Sequence, residues 1–330
     1  MLVESQKLNP KLLKLDVEQV PIRKGFGEGL LGAGEKDERI VGLCADLTES
    51  TQMHLFARKF PQRFIQMGVA EQNLASVASG MAAMGKIPFL TSYAMFSPGR
   101  NWEQIRTTIC YNDRNVKIVG SHAGVSVGPD GGTHQAIEDI AITRVIPRLA
   151  VVVPCDAIEA KKATWQIARW TGPAYLRLAR EKSPVVTTEE SFFEIGKANI
   201  LREPAKPRAA IIACGQMVYN ALITANDLAA TGIEVTVVNL HTIKPLDAET
   251  ILGVAAKCEA IVTVEEHQKR GGMGSAVAEL LVENYPVPME LIGVDDLFGQ
   301  SGTPQELIEH YGLGVNHIRQ AVQRVIARKR

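Results

Sequence analysis

The 330-residue chain has no paired cysteines: Cys44, Cys110, Cys155, Cys214 and Cys258 stand singly in apolar stretches. Without a CxxC pair, zinc ribbons and disulfide frameworks are both unexpected, and a reducing compartment, the cytoplasm, fits best. Net charge is missing as well. Lys and Arg number 36 against 36 Asp and Glu, so bulk charge gives no reason to expect nucleic acid or an anionic membrane as a partner. No apolar run approaches the ~20 residues of a membrane span. Met1-Leu2-Val3-Glu4 brings in charge where a secretory signal would have a basic start and an unbroken apolar stretch. Short-period repeats, heptads and low-complexity tracts are also lacking. What remains is 46% apolar and 22% charged, an ordinary composition with room for two packed cores. Function must be read from local constellations.

From Ile40 onward, short apolar runs alternate with segments of helical spacing, the rhythm of a parallel sheet with helical crossovers. Strands are expected near Ile40–Cys44, Phe64–Met67, Phe89–Thr91, Val116–Gly120, Ala150–Val153 and Ala174–Leu178. Helices are expected over Glu71–Met84, Trp102–Asn112, His134–Val145 and Ala157–Trp170, with Gly, Pro and Asp at the junctions. Lys182–Pro207 breaks the pattern with Pro, Thr and Glu and reads as a surface linker. A second alternation follows, with strands near Ala209–Cys214, Glu234–Asn239, Ala260–Glu265 and Glu290–Val294. Its helices are expected near Met217–Ala230, Ala248–Ala256, Met273–Val282 and Pro304–His310. The fold class is α/β, with two doubly wound open-sheet domains over 23–185 and 208–330, a linker over 186–207 and a helical lead-in over 1–22.

Gly68-Val69-Ala70-Glu71-Gln72-Asn73 places a carboxylate where a strand becomes a helix. Glu71 there either complements the positive end of the helix, a few tenths of a kcal/mol, or points into the cleft at the carboxyl edge of the sheet, where ligands of such folds collect. Further along, Gly120-Ser121-His122-Ala123-Gly124-Val125-Ser126-Val127-Gly128-Pro129-Asp130-Gly131-Gly132-Thr133-His134-Gln135 joins a strand to a helix with five glycines and three titratable side chains. It is long for a plain crossover. Its glycines suit close backbone approach to a ligand, and His122, Asp130 and His134 suit hydrogen bonds and proton transfer to a polyhydroxylated substrate. The same Asp-Gly-Gly is also ordinary turn chemistry, and a histidine at a helix start is often a cap.

Taken in order, these pieces resemble the C-terminal half of transketolase. The match runs through Gly68–Asn73, Pro88-Phe89-Leu90-Thr91 with Phe96, Gly128–Gln135, Ile146-Pro147, Val153-Pro154, and Gly172-Pro173 ending at Arg180. Asn239–Asp247 and Val264-Glu265-Glu266-His267 are similar to the family's terminal domain. The resemblance implies a pyrimidine-binding domain for thiamine diphosphate followed by a transketolase C-terminal-like domain. Glu71 matches the glutamate that hydrogen-bonds the aminopyrimidine ring nitrogen, a role requiring it to offer a proton. Phe96, with Tyr93 and Met95 beside it, matches the aromatic stacked on the pyrimidine, and Asp46 an aspartate near the cofactor at the subunit interface. His122, Asp130 and His134 match positions contacting sugar hydroxyls and the reacting carbonyl, with Asp130 and His134 joining Glu71 as catalytic candidates. Arg180, Arg23 and Ser50 match positions holding the sugar phosphate, which the guanidinium fork suits. Where His122 is followed by Ala123-Gly124, the chain departs from transketolases toward deoxyxylulose-phosphate synthases.

The family holds the cofactor's diphosphate through Mg²⁺ with a Gly-Asp-Gly sequence, and this chain has none. Oxygen ligands and a phosphate cradle must come from elsewhere. The resemblance therefore implies a separate N-terminal transketolase subunit holding Mg²⁺, with no metal ligand here, and self-association through a two-fold dimer into a heterotetramer. The implied activity is transfer of a two-carbon ketol unit between sugar phosphates. A 2-oxoacid dehydrogenase beta subunit and a non-catalytic homologue that regulates or scaffolds an enzyme are the alternatives.

Overall fold

A computed structural model describes residues 1–329. Residues 1–18 hold a single 3-10 turn at Glu4–Gln6, followed by strand β1 (Gln19–Pro21). The helical lead-in expected over 1–22 is thus corrected. Leu12 is buried in a core shared with Val186 and Leu201, and Asn9 Nδ2 donates to Val185 O at 2.8 Å, so docking shapes this segment in place of a helix.

The first α/β unit then runs α1 (Ile22–Lys36), β2 (Ile40–Cys44), α2 (His54–Lys59), β3 (Phe64–Gln66), α3 (Glu71–Ala83) and β4 (Ile87–Tyr93). It continues with α4 (Trp102–Gln104), which passes into a π-helix at Ile105–Cys110, then β5 (Lys117–Ser121), α5 (Asp139–Arg144), β6 (Ala150–Val152), α6 (Ala157–Arg169) and β7 (Ala174–Arg177). Strand β8 (Lys182–Pro184) pairs antiparallel with β1. The second unit comprises β9 (Asn199–Arg202), β10 (Ala209–Ala213), α7 (Met217–Ala230), β11 (Val235–Asn239), β12 (Thr242–Lys244) and α8 (Ala248–Cys258). After these come β13 (Ile261–Gln268), α9 (Met273–Asn284), β14 (Met289–Val294), α10 (Pro304–His310) and α11 (Val315–Ala327).

A seven-stranded sheet has the order β12-β6-β7-β5-β4-β2-β3, and a five-stranded sheet the order β14-β13-β10-β11-β9. Every residue of β2, β5, β10 and β11 is buried, which explains why these strands are dominated by apolar residues and do not alternate, even where β5 carries Lys117 and β11 carries Thr236. Strand β12 belongs to the second unit by sequence yet completes the first sheet, pairing antiparallel with β6. One apolar core likewise spans both units, joining Val41, Leu43 and Ile118 to Ile212, Leu240 and Ile261.

The stretch expected as a surface linker is built into the structure. Asp156 accepts hydrogen bonds from the amides of Val186 (2.8 Å) and Thr187 (2.6 Å), and β9 pairs with β11. The helix expected over His134–Val145 is shortened to α5, because Ala136 bridges Ala123 and its carbonyl accepts from Gly124 N at 2.8 Å. His134 therefore sits in the loop and not at a helix start.

Strand β3 lies outside β2, and the chain then returns to β4 on the other side of β2. That reversal opens a crevice beyond the carboxyl ends of β2 and β4, the position where open α/β sheets take their ligands.

Candidate active site

Glu71 opens α3 directly beyond β3 and is 3% exposed. Ser92 Oγ, near the end of β4, donates to its Oε1 at 3.0 Å, while Oε2 has no hydrogen-bond partner among the described residues. Asn101 Nδ2 donates both to the Glu71 carbonyl (3.1 Å) and to Ser97 Oγ (3.1 Å), folding the turn that carries Phe96 onto the start of α3. Gln66 Oε1 accepts from the amides of Asp46 (2.7 Å) and Gly68 (3.3 Å). One amide side chain thus ties the end of β2 to the loop that delivers Glu71. Asp46 itself is exposed at φ 59°, apart from the aromatic and histidine cluster described next.

His122 directly follows β5 at φ 60°, 2% exposed, with its ring stacked on Tyr93 at 3.9 Å between centroids. Its Nδ1 pairs with Ser121 Oγ at 2.9 Å. Phe96 meets the edge of His134 at 5.4 Å, and Tyr93 lies 6.2 Å from the same ring. Because His122 covers one face of Tyr93, Phe96 is the freer of the two aromatic surfaces; Met95 beside them is exposed. Non-glycine residues at positive φ carry local strain, and such strain gathers at functional sites; here Asp46 holds it just beyond β2 and His122 just beyond β5, on either side of β4.

Arg23 Nη1 donates to the carbonyl of Ser50 at 2.6 Å and its Nε to the carbonyl of Arg180 at 3.1 Å. Ser50 thereby acts through its main chain in this arrangement. Arg180 Nη1 donates to Val127 O at 2.5 Å, and Asp130 Oδ1 lies 3.9 Å from the same nitrogen. Burial pushes the His122 imidazole down to about 3, and Arg23, Arg180 and His134 push it further in the same direction. Burial, and then the neighbouring Arg180, lower the Arg23 guanidinium. Two half-buried guanidinium groups held together beside a neutral imidazole repel each other, and an oxyanion seated between them relieves that repulsion.

The sequence expectations are therefore brought together unevenly. Tyr93, Phe96, His122, Asp130, His134, Arg23 and Arg180 form one cluster. Glu71 joins it through the Tyr93–Asn101 turn, and Asp46 reaches it only through Gln66. Ser92, Gln66 and Asn101 are not marked by the sequence; no spacing or motif signals a lone serine at a strand end, although Ser92 directly follows the Pro88–Thr91 segment.

The Gly271–Gly274 turn leads into α9, and His267 stands near it at the end of β13. Glu265 accepts from the amides of Met273 and Gly274, each at 2.7 Å, at the start of α9. A Cβ on Gly272 would stand 2.2 Å from Glu265 Oε2. His267 Nε2 accepts from Ala141 N at 3.3 Å, with Nδ1 against Gln268 O at 2.8 Å. The group pins α5 to the second sheet.

A family model described as the transketolase pyrimidine-binding domain matches residues 18–185, and one described as the transketolase C-terminal domain matches 196–318. The chain belongs to the transketolase family. A transketolase C-terminal section from Methanocaldococcus jannaschii is 44% identical over 305 residues, covering 92% of this chain and 95% of that one. The 6-deoxy-6-sulfo-D-fructose transketolase subunit SqwH of Clostridium sp. strain MSTE9 is 41% identical over 316 residues, covering 96% and 98%. A solved structure described as a split-gene transketolase in an inactive beta4 tetramer superposes with a TM-score of 0.88 at 44% identity, covering 94% of this chain and 100% of that one. With at least 92% of this chain covered in each case, the likeness extends over both sheets. Among the described residues, no helix is long and apolar enough to cross a membrane.

Proposed function

We propose that the chain is the C-terminal subunit of a two-chain, thiamine-diphosphate-dependent transketolase that moves a two-carbon ketol unit from a ketose phosphate to an aldose phosphate. The observation that carries this reading is Glu71: a buried carboxyl group fixed by Ser92 through one oxygen, with the other free, at the topological switch point of the sheet. Such a group fits the ring nitrogen of an aminopyrimidine, and Phe96 offers the ring to stack on it, with Tyr93 and Met95 alongside. Asp46 would lie toward the same ligand at the subunit boundary. The bound cofactor supplies the carbon chemistry of the transfer.

This chain's residues orient and move protons. His122, neutral across physiological pH, accepts or donates one hydrogen bond to a sugar hydroxyl without taking up charge. His134 and Asp130, both more open to solvent, are the groups able to exchange protons with the substrate. Arg23 and Arg180 hold the terminal oxyanion, with Ser50 fixing Arg23. Mg²⁺ and the diphosphate would be held by the N-terminal partner, and two copies of each chain would give a two-fold assembly. The SqwH name records a sulfosugar transketolase subunit, and a sulfonate would suit the same arginine pair.

The test is reconstitution. Mixed with an N-terminal subunit, thiamine diphosphate and Mg²⁺, the chain is expected to transfer ketol units; the chain alone is not. Full activity without the partner overturns the two-subunit reading. Preference for pyruvate with no aldose acceptor would instead identify a 2-oxoacid dehydrogenase, and phosphorylated and sulfonated ketoses assayed side by side sort the remaining substrates.

A further inference from the structure

The loop from His122 to Gln135 is glycine-rich for a reason the sequence does not reveal. A Cβ on Gly124 would stand 2.3 Å from the Glu266 carboxyl carbon, and one on Gly131 2.7 Å from Ser301 Oγ. On Gly132 it would stand 2.5 Å from Gly299 O, and on Gly128 3.3 Å from the Pro304 ring. Every one of these neighbours belongs to the second domain. The glycines make room for that domain.

Hydrogen bonds follow the same route. Ser126 N donates to Glu266 Oε1 at 2.5 Å, and Gln216 Nε2 donates to Ser126 Oγ at 2.7 Å and to Glu266 Oε2. Gln135 Nε2 donates to Val125 O at 2.9 Å within the loop and to Gln300 O at 3.0 Å across the boundary. Arg177 Nη2 donates to the carbonyls of Glu266 (2.9 Å) and Ala136 (3.2 Å), clamping the base of the loop. His122 and His134 stand at the two ends of the segment so held, and Arg180 grips its middle at Val127.

We infer that the second domain serves as the mould of the substrate loop, with Glu266 as its principal positioning residue and Gln216, Gln135 and the 299–304 turn completing the contact. The inference deepens the proposed function and rests on it only for the claim that the loop binds sugar. Glu266 touches no reacting atom; it fixes the path of residues 124–128, and through them the separation of His122 from His134.

Glu266→Gln tests this, since it keeps the volume but replaces the acceptor facing Gln216 with a second donor. Hydrogen exchange in the full chain is expected to speed up over residues 122–135 by about tenfold, the scale of one lost hydrogen bond to a carboxylate, while β10, β11 and α7 keep their protection. In the reconstituted complex, KM for the sugar phosphates is expected to rise by a similar factor with kcat changed less. Gly299→Ala is the second variant: it lies in a surface turn, and its methyl would collide with Gln135 Oε1, loosening the same loop from the Gln135 side while leaving Glu266 and Gln216 unaltered. Unchanged exchange over 122–135 in both variants overturns the inference, as does a loss of protection spread evenly through both sheets, or a loosened loop with KM and kcat falling together. If the wild-type complex moves no ketol units, the functional reading fails, and the exchange arm still decides whether the second domain holds the loop.

Discussion

Single side chains in this protein are held by partners that define what each can do. Glu71 has one oxygen committed to Ser92 and one free. Glu71→Gln and Glu71→Ala are expected to cut kcat by roughly 100- to 10,000-fold, the usual range for a lost proton-transfer group, while sedimentation shows assembly with the partner unchanged; retained turnover would reduce Glu71 to a helix-start residue. Arg180→Ala is expected to raise KM for phosphorylated substrates about tenfold or more and to leave unphosphorylated analogues unaffected. His122 and His241 are both buried and pushed down to about 3 from an ordinary 6.5, chiefly by burial. The unfolded chain therefore takes up these protons first, so the stability they contribute is complete above pH 6.5 and is lost as pH falls toward 3. At pH 5 the loss is about 2 kcal/mol per imidazole. His241→Asn, which lies outside the candidate site against Phe193, is expected to show a shallower decline between pH 7 and pH 5 in urea titrations; an identical slope would assign the proton uptake to other groups.

Elements differ in how openly the sequence announces them. Strands β2, β10 and β11 were legible because burial on both faces demands an apolar run, and α7 and α10 because their apolar spacing is bounded by turn residues. Helix α1 was not legible. Its sequence holds five glycines in fifteen residues, a composition that disfavours an isolated helix, and it forms because those glycines let it lie against α6: a Cβ on Gly25 would stand 1.8 Å from Ala157 O. Tertiary contact overrides propensity there. Helix α11 was missed for a weaker reason, since Ile318, Ala321, Val322 and Val325 are its buried stripe and recur at helical spacing. In the candidate site, Glu71 and the two histidines were legible as titratable groups in unusual settings. Ser92, Gln66 and Asn101 were not, because their importance lies in which backbone they reach after folding. The glycines of the 122–135 loop were legible as glycines, but their closeness to the second domain was not, because the residues they face are more than a hundred positions away in sequence.

At the scale of the whole molecule, neither unit is self-sufficient. The shared core joins residues of both sheets, the second domain shapes the loop of the first, and β12 closes the outer edge of the seven-stranded sheet by pairing with β6. A polypeptide ending at residue 207 would lose that closing strand and leave Ala150–Val152 as a bare margin of unsatisfied amides and carbonyls beside uncovered apolar surface. Such margins recruit strands from other molecules. Expression of residues 1–207 is accordingly expected to yield insoluble material or ill-defined multimers by light scattering, where the full chain gives a discrete species. A monodisperse fragment with native circular dichroism would show that the sheet tolerates the open margin. For anyone recombining family members, the crossover between donors belongs beyond Lys244 and not in the stretch between the domains, because the parent that contributes β6 must also contribute the strand that seals it.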